Sequence, residues 1–197
     1  MSMPTLFRCT GTIALALAFA HADARAASPF GTDLHGNPVR QLAGPGVHVV
    51  VLFFAASDCP ISNRYVPEVA RLNHEFSGKG ARIWWVYPNP TDTAAVIQQH
   101  IRDYSIHENA LLDTRQSLVA MAHATITPES AVFVVEGSSL REVYHGRIDD
   151  RYISLGQERP QPEHHQLEAA IDAALAGKPV PQPGGPPVGC SIEFLQK

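Results

Sequence analysis

Cysteine is the residue type in this 197-residue chain that offers the most direct chemistry, because its thiolate is both a nucleophile and a ligand for soft metals. The sequence holds Cys9, Cys59 and Cys190. Cys9 lies within an N-terminal segment that we expect to be removed, which leaves two cysteines in the mature protein. An even pair in an exported chain favours redox chemistry, since disulfides persist in oxidising compartments.

Cys59 stands at the junction of a predicted strand and a predicted helix. Residues 47–55 are almost continuously apolar and rich in β-branched side chains, which predicts a strand buried on both faces. From Pro60 onward, apolar residues recur at helical spacing: Ile61, Tyr65, Val69, Leu72 and Phe76. A helix start stabilises a thiolate, and proline suits the first helical position. Asp58 opposes this effect, so we expect a moderately lowered pKa for Cys59. A buried, inert cysteine is the alternative.

Cys190 follows a segment with the composition of a tether. Nine of the 13 residues from Gly177 to Gly189 are proline or glycine. A polyproline-like chain of that length spans up to about 40 Å, and a domain of about 150 residues has a radius of gyration of about 15 Å. Cys190 can therefore reach Cys59. Three outcomes stay open: a pair that cycles between thiol and disulfide, a static disulfide clasp, and no pairing.

The remaining elements predict a three-layer α/β domain with helices on both faces of the sheet. A hairpin is expected at 33–39, followed after the first helix by strands at 81–87, 110–112, 130–136 and 142–148 and helices at 92–104, 115–122 and 163–176. Trp84 and Trp85 are interpreted as packing residues. Residues 188–194 are expected to add an edge strand or to dock on the domain.

Residues 1–26 are typical of a secretory signal peptide. Arg8 precedes a short apolar run at 10–20, and Ala24-Arg25-Ala26 fits a cleavage site. The run is shorter than the roughly 20 residues that cross a bilayer, so no membrane span is expected after cleavage. We therefore expect a periplasmic or secreted protein with one domain at 27–176 and a tail at 177–197.

The charge balance argues against nucleic-acid partners. The chain has 15 Lys and Arg against 19 Asp and Glu, a formal net charge of −4, and no basic run. No cofactor is expected. His164 and His165, next to Glu163, are the candidate metal ligands, but a solvated pair is the preferred interpretation and no metal is expected.

Several motifs together resemble the thioredoxin-like redoxins, the superfamily of alkyl hydroperoxide reductase and thiol-specific antioxidant proteins. Cys59-Pro60-Ile61-Ser62 and Pro67, eight residues after the cysteine, are similar to the active-site helix of that superfamily. Thr127-Pro128, directly before an apolar strand, is similar to its cis-proline, and the 33–39 hairpin to its N-terminal hairpin. The resemblance implies a thioredoxin-like three-layer α/β/α sandwich with an N-terminal β-hairpin extension.

The resemblance also implies roles for individual residues. Cys59 would be the catalytic thiol, faced by a cis-proline at Thr127-Pro128. Ser62 stands where thioredoxins have their resolving cysteine, and Ala56 stands where peroxiredoxins have a threonine. Cys190 is therefore the candidate second catalytic cysteine. The expected supporting residues are Pro60, Ser62, Thr127, Pro128 and Arg147.

Arg64 and Arg147 are the cations that the sequence places best to approach the thiolate. Arg64 lies one turn into the helix, so solvent exposure is expected for it. For Arg147, an ion pair with Asp149 or Asp150 is the alternative.

The expected function is that of an exported thiol–disulfide oxidoreductase or a peroxiredoxin-like antioxidant protein. The Cys59 thiolate attacks a protein disulfide or a peroxide, Cys190 resolves the product, and an external thiol reductant reopens the disulfide. Two alternatives stay open. One is a copper-binding or assembly factor of the same fold, although such proteins use two cysteines and a histidine, of which only Cys59 is present. The other is a redox-silent domain that binds a partner and is clasped by its tail.

Overall fold

The sheet at the centre of the molecule has seven strands. The structure, a computed structural model, describes residues 28–182 and 184–195, so the expected signal peptide lies outside the described residues. The strands are β1 (Gly31–Thr32), β2 (Pro38–Val39), β3 (Val49–Phe54), β4 (Ala81–Tyr87), β5 (Asn109–Leu112), β6 (Ile126–Thr127), β7 (Glu129–Glu136), β8 (Ser139–Gly146), β9 (Tyr152–Ser154), β10 (Gln157–Glu158) and β11 (Cys190–Ser191). In the main sheet their order is β2-β1-β5-β4-β3-β7-β8.

Strand β3 is fully buried because it lies between two partners and under two layers of side chains. It runs parallel to β4 and antiparallel to β7. Alternate residues of β3 point to opposite faces, as the period of a strand requires. Val49, Val51 and Phe53 belong to one apolar cluster, and Val50, Leu52 and Phe54 belong to the other. The continuous apolar run in the sequence is thus explained by burial on both faces.

The helices divide between the two faces of the sheet. They are α1 (Pro60–Arg64), α2 (Val66–Phe76), α3 (Ala94–Tyr104), α4 (Ser117–Ala122) and α5 (Gln166–Leu175), with a 3-10 turn at Ser77–Lys79. Apolar residues of α2, α3 and α5 pack in the first cluster. Those of α4 pack in the second cluster, together with Ile192 of the tail. The expected three-layer architecture is confirmed.

The interpretation of Trp84 and Trp85 as packing residues is confirmed. They follow one another in β4 and therefore enter different clusters. The Trp84 indole donates to the Leu42 carbonyl at 2.9 Å, and the ring of Trp85 meets that of Phe53 edge-on at 4.6 Å.

Helices α3, α4 and α5 begin two or three residues later than expected, and three larger features also differ from the sequence-based prediction. The expected single helix from Pro60 is interrupted at Tyr65, since the proline at 67 cannot donate a helical backbone hydrogen bond. Strand β8 covers 139–146 and not 142–148, because the Gly137-Ser138 turn pairs Glu136 directly with Ser139. The β9–β10 hairpin was not expected. Among the described residues, no helix is both long and apolar enough to cross a membrane.

A two-thiol candidate active site

Cys59 lies where the chain leaves the central strand and enters α1. It is the N-terminal capping residue of that helix, and Pro60 occupies the first helical position as expected. Its backbone N–H donates to the Ala56 carbonyl at 3.2 Å, and its own carbonyl accepts from the Asn63 N–H at 3.1 Å. The residue is only 1% exposed. The turn therefore fixes the position of the cysteine through two backbone hydrogen bonds and directs its sulfur inward.

Thr127 connects this turn to the C-terminal tail. The Cys59 thiol donates to the Thr127 carbonyl at 3.2 Å. Strand β11 pairs antiparallel with β6, with Cys190 opposite Thr127 and Ser191 opposite Ile126. The peptide bond between Thr127 and Pro128 is cis, as the resemblance implied. The strand pairing brings the Cys190 sulfur to 2.9 Å from that of Cys59, and both are thiols.

The two thiols have opposite tendencies to ionise. Burial raises the pKa of Cys59, but hydrogen bonds from the Cys190 thiol, from Ser62 and from the Ile61 backbone outweigh burial and lower it overall. Desolvation of its sulfur, the hydrogen bond to Cys59 and the nearby charges of Cys59 and Asp58 raise the pKa of Cys190 to about 12. Cys59 is therefore the thiol of the pair that ionises first, and Cys190 is the one that keeps its proton.

Ser62 is a fully buried polar residue one turn into the helix. Its hydroxyl has no hydrogen-bond partner of ordinary geometry, although it lies close enough to Cys59 to lower the pKa of that thiol. An unsatisfied buried hydroxyl is costly. A negative charge on the Cys59 sulfur would give this hydroxyl an acceptor. Ionisation of Cys59 would therefore provide the hydrogen bond that the Ser62 hydroxyl lacks.

The rest of the tail is held by hydrogen bonds to its backbone. The Ile192 N–H donates to the Thr125 carbonyl at 3.0 Å, and the Glu193 N–H donates to Asn89 Oδ1 at 3.0 Å. The Gln116 amide donates to the Glu193 carbonyl at 2.7 Å and accepts from the Leu195 N–H at 3.0 Å. Sequence reasoning missed Asn89 and Gln116, because no local pattern marks residues that contact a segment about 80 to 100 positions away.

Gly189 permits this docking. A Cβ atom placed there would overlap the Thr127 carbonyl oxygen, far inside van der Waals contact. Only glycine lets the tail backbone approach β6 so closely.

Comparison with known proteins shows the family of this domain. The model of the AhpC/TSA family matches residues 23–144, which is more than half of the chain. The chain belongs to the AhpC/TSA family. No curated protein matches it significantly. The match ends before β9, so the tail and Cys190 lie outside the region that this AhpC/TSA protein shares with the family model.

Solved structures share the fold of this AhpC/TSA protein. An uncharacterized conserved protein from Geobacillus kaustophilus has a TM-score of 0.71 and 25% identity, covering 87% of this chain and 91% of its own. A hypothetical protein from Sinorhizobium meliloti 1021 has a TM-score of 0.71 and 24% identity, covering 88% and 94%. A proposed thioredoxin from Neisseria meningitidis has a TM-score of 0.52 and 20% identity, covering 76% and 92%. The fold is thioredoxin-like.

The two candidate cations of this AhpC/TSA protein lie in different surroundings. The guanidinium of Arg64 is exposed and pairs with Glu158 at 3.2 Å, so the expected solvent exposure of Arg64 is confirmed. That of Arg147 lies against Gly184 and Gly185 of the tether. It makes no ion pair with any carboxylate in 28–182 or 184–195, so the alternative of a pair with Asp149 or Asp150 is wrong.

Those two aspartates have other partners. The Tyr65 hydroxyl donates to Asp149, while Asp150 lies 3.8 Å from Arg159. Since Arg147 and Pro128 border one small cavity, a supporting role for Arg147 stays a prediction.

The candidate metal ligands fall into two separate acidic clusters. His165 groups with Glu68 and Glu168, whereas His164 groups with Asp150 and Glu163. Arg71 bonds to both glutamates of the first cluster, and an Asp150 oxygen accepts from backbone N–H groups in the second. Within the described part of the chain, no third histidine, cysteine or carboxylate joins the sulfurs of Cys59 and Cys190 to form a three-ligand site.

Proposed function

We propose that this protein is an exported thiol–disulfide oxidoreductase in which Cys59 is the nucleophile and Cys190 is the resolving cysteine. The observation that carries the proposal is the 2.9 Å approach of the two sulfurs, which belong to residues 131 positions apart. The lowered pKa of Cys59 supports it, because thiolate and not thiol attacks a disulfide.

The reaction is a pair of thiol–disulfide exchanges. The Cys59 thiolate attacks one sulfur of a substrate disulfide, and the other substrate sulfur leaves as a thiolate. Cys190 then attacks the Cys59 sulfur, and the second substrate sulfur leaves. The substrate gains two electrons, and Cys59 and Cys190 lose them by forming a disulfide. An external thiol reductant returns the pair to the reduced state.

The protonation states of the pair favour this order of events. Part of what raises the pKa of Cys190 comes from its contact with Cys59 and from the charge there. Once Cys59 is bonded to substrate it carries no charge, so this contribution disappears and Cys190 ionises more readily. The resolving thiol is thus activated when it is needed.

The surroundings of Cys59 support a disulfide substrate over a peroxide. A peroxidatic cysteine needs donors that stabilise the departing oxygen, yet Ala56 replaces the expected threonine. Arg64 pairs with Glu158, and no arginine in 28–182 or 184–195 forms a hydrogen bond with the sulfur. The experiment below therefore distinguishes disulfide reduction from peroxide reduction. Export is supported by the predicted signal peptide at 1–26.

The test is to trap each intermediate in the mature protein. Reaction with a limiting disulfide substrate should give a Cys59–Cys190 link in non-reducing peptide maps. Cys59→Ser should abolish turnover. Cys190→Ser should accumulate a mixed disulfide at Cys59 and slow turnover at least about tenfold, because an intramolecular step is replaced by a bimolecular one. Ser191→Ala is the matched control and should behave like the native protein.

Each alternative gives a different result in the same experiment. A free Cys190 together with continued turnover at Cys59 would assign resolution to an external thiol. A Cys59–Cys190 disulfide that substrate and reductant leave unchanged would indicate the static clasp. Turnover with hydrogen peroxide but not with disulfides would indicate a peroxidase, and tight Cu(I) binding without turnover would indicate the copper-binding alternative.

A further inference from the structure

The tail segment 190–195 occupies its groove in the manner of a bound peptide. Its first two residues form strand β11, which pairs with β6, and Ile192 is the one side chain of the segment that enters the apolar core. We propose that this groove is also the binding site for substrate, and that it selects an extended disulfide-bearing polypeptide segment with a branched apolar residue two positions after the attacked cysteine. This inference rests on the proposed function and names the substrate class of the same site.

The bonds that hold the tail do not depend on its side chains. Thr125, Thr127, Asn89 and Gln116 all contact backbone N–H or carbonyl groups of residues 190–195, as described above. Any extended segment except one with proline at a donor position can make the same bonds. This is recognition by strand addition, in which main-chain bonds give affinity and alternate side chains give specificity.

Two side chains on the same face of the tail supply the specificity. In an extended segment, residues two positions apart share a face. Accordingly, the Cys190 sulfur meets Cys59, and Ile192 is 3% exposed within the apolar cluster that includes Leu118 and Ala122 of α4. Ser191 and Glu193 are exposed. The groove therefore selects a cysteine and an apolar residue in the second position after it. At the other positions it tolerates many residue types.

The docked tail and a substrate cannot occupy the groove together. Cys59 is 1% exposed with the tail in place, and the Cys190 sulfur lies where an attacked sulfur must lie. The tail must therefore leave before substrate enters. When it returns, it displaces the substrate backbone from β6 and brings Cys190 to the mixed disulfide. Exchange of one strand for another thus couples release of the product to its resolution.

The groove therefore accepts flexible polypeptides as substrates. A disulfide inside a compact domain offers no free extended segment to pair with β6, whereas an unfolded or misfolded chain does. Small disulfides lack the backbone groups that Asn89 and Gln116 contact, so they react without this selection.

The experiment uses the mature chain with Cys190→Ser, so that each reaction stops at the mixed disulfide. The probes are a peptide of residues 188–195, its cysteine activated as a thiopyridyl disulfide, and the same peptide with Ile192→Ser. Release of the chromophore reports attack by Cys59. The native peptide should react about tenfold faster or more, because loss of a buried isoleucine removes most of its transfer free energy. Dithiodipyridine serves as the small disulfide.

Two protein variants test the competition. Adding Ile192→Ser to the Cys190→Ser chain weakens tail docking, so both peptides and dithiodipyridine should react faster. The second variant adds Gln116→Asn to that double variant. Asparagine tolerates the left-handed backbone conformation at position 116, but its shorter side chain cannot reach the tail backbone as glutamine does. The ratio of the native-peptide rate to the dithiodipyridine rate should then fall about fivefold.

The outcomes separate this inference from the function on which it rests. Equal rates for the two peptides, with normal reaction of dithiodipyridine, would overturn the substrate groove and leave the oxidoreductase assignment standing. Failure of the tail-weakened variant to react even with dithiodipyridine would overturn the oxidoreductase assignment, and the inference with it. Selection for the native peptide combined with faster reaction on tail weakening supports the proposal.

Discussion

One atom at position 62 separates the active-site turn from a dithiol motif. Ser62 carries oxygen where a cysteine would carry sulfur, two residues beyond Pro60 in α1. The side chain is completely buried and lies beside the Cys59 sulfur, as its effect on the pKa of Cys59 shows. The position is therefore suitable for a second thiol, and the chain uses a distant cysteine instead.

Ser62→Cys should restore turnover to the Cys190→Ser protein. The new thiol lies in the same helix turn as Cys59 and differs from the hydroxyl only by sulfur in place of oxygen, so a local disulfide can form without the tail. We expect recovery of at least about a tenth of native turnover in a steady-state assay with external reductant.

The matched control for this prediction is Ser62→Ala in the same Cys190→Ser background. It should restore no turnover, and it should raise the pKa of Cys59 because a hydrogen bond to the thiolate is lost. Alkylation at Cys59, followed by mass spectrometry across pH, measures that shift. Equal turnover of the cysteine and alanine variants would show that position 62 cannot serve a resolving thiol.

At the scale of elements, a pair of two-residue strands holds the site together. Strands β6 and β11 contribute two residues each, yet they join the cis-proline turn to the tail. Glu129 supports β6 from the other side, because its carboxylate accepts from the Thr125 and Ile126 N–H groups. Docking of the tail depends on this short pairing together with the burial of Ile192.

Gly189→Ala should undock the tail without unfolding the domain. Its Cβ would collide with the backbone carbonyl of Thr127, which cannot move as a flexible side chain could. We expect alkylation of Cys59 to become about tenfold faster or more, since the tail no longer covers the thiol.

Gly78→Ala is the control for this prediction, because a Cβ at that position meets no atom within 4 Å. It should leave alkylation of Cys59 unchanged. Unchanged alkylation in the Gly189→Ala protein would mean that the tail does not protect Cys59 in solution.

Across the whole molecule, two histidines respond to pH in opposite ways. Burial lowers the pKa of His100, whose ring nitrogens contact the Tyr87 hydroxyl at 3.0 Å and Asn63 Oδ1 at 2.8 Å. A hydrogen bond to the buried carboxylate of Glu129 raises the pKa of His145, whose Nε2 lies 2.7 Å from it. The first histidine links α3 to the active-site turn, and the second supports the carboxylate that anchors β6.

The pH dependence of stability should separate these two histidines. His100 has a lowered folded pKa, so its contribution is present above the unfolded value of about 6.5 and is lost as pH falls. His145 has a raised folded pKa, so its contribution is full below about 6.5 and is lost as pH rises through the folded pKa. Urea unfolding of His100→Gln and His145→Gln at pH about 5.5 and about 8 measures this.

The expected results for the two variants have opposite signs. Relative to the native protein, His100→Gln should be more destabilising at the higher pH, and His145→Gln should be more destabilising at the lower pH. The same pH trend in both variants would contradict the assignment of their charge states.

Local pattern predicts most of the elements that build the site. The apolar run before Cys59, the proline after it and the helical spacing beyond depend on neighbouring residues, so they can be read in order along the chain. The same holds for β4, predicted at 81–87 and observed there. The break at Tyr65 and the β9–β10 hairpin depend on packing between distant segments, and no local pattern indicates them.

What the sequence by itself determined is the identity of the two thiols, the strand-to-helix setting of Cys59 and the tether that lets Cys190 travel. What only the tertiary structure decided is where the tail docks, through Gln116, Asn89 and Ile192, and where Arg64 and Arg147 point. The physical reason is the distance along the chain over which each kind of interaction acts. Periodicity and turn chemistry act over a few residues, whereas the contact between Cys59 and Cys190 joins positions 131 apart and exists only once the sheet and both apolar clusters have formed.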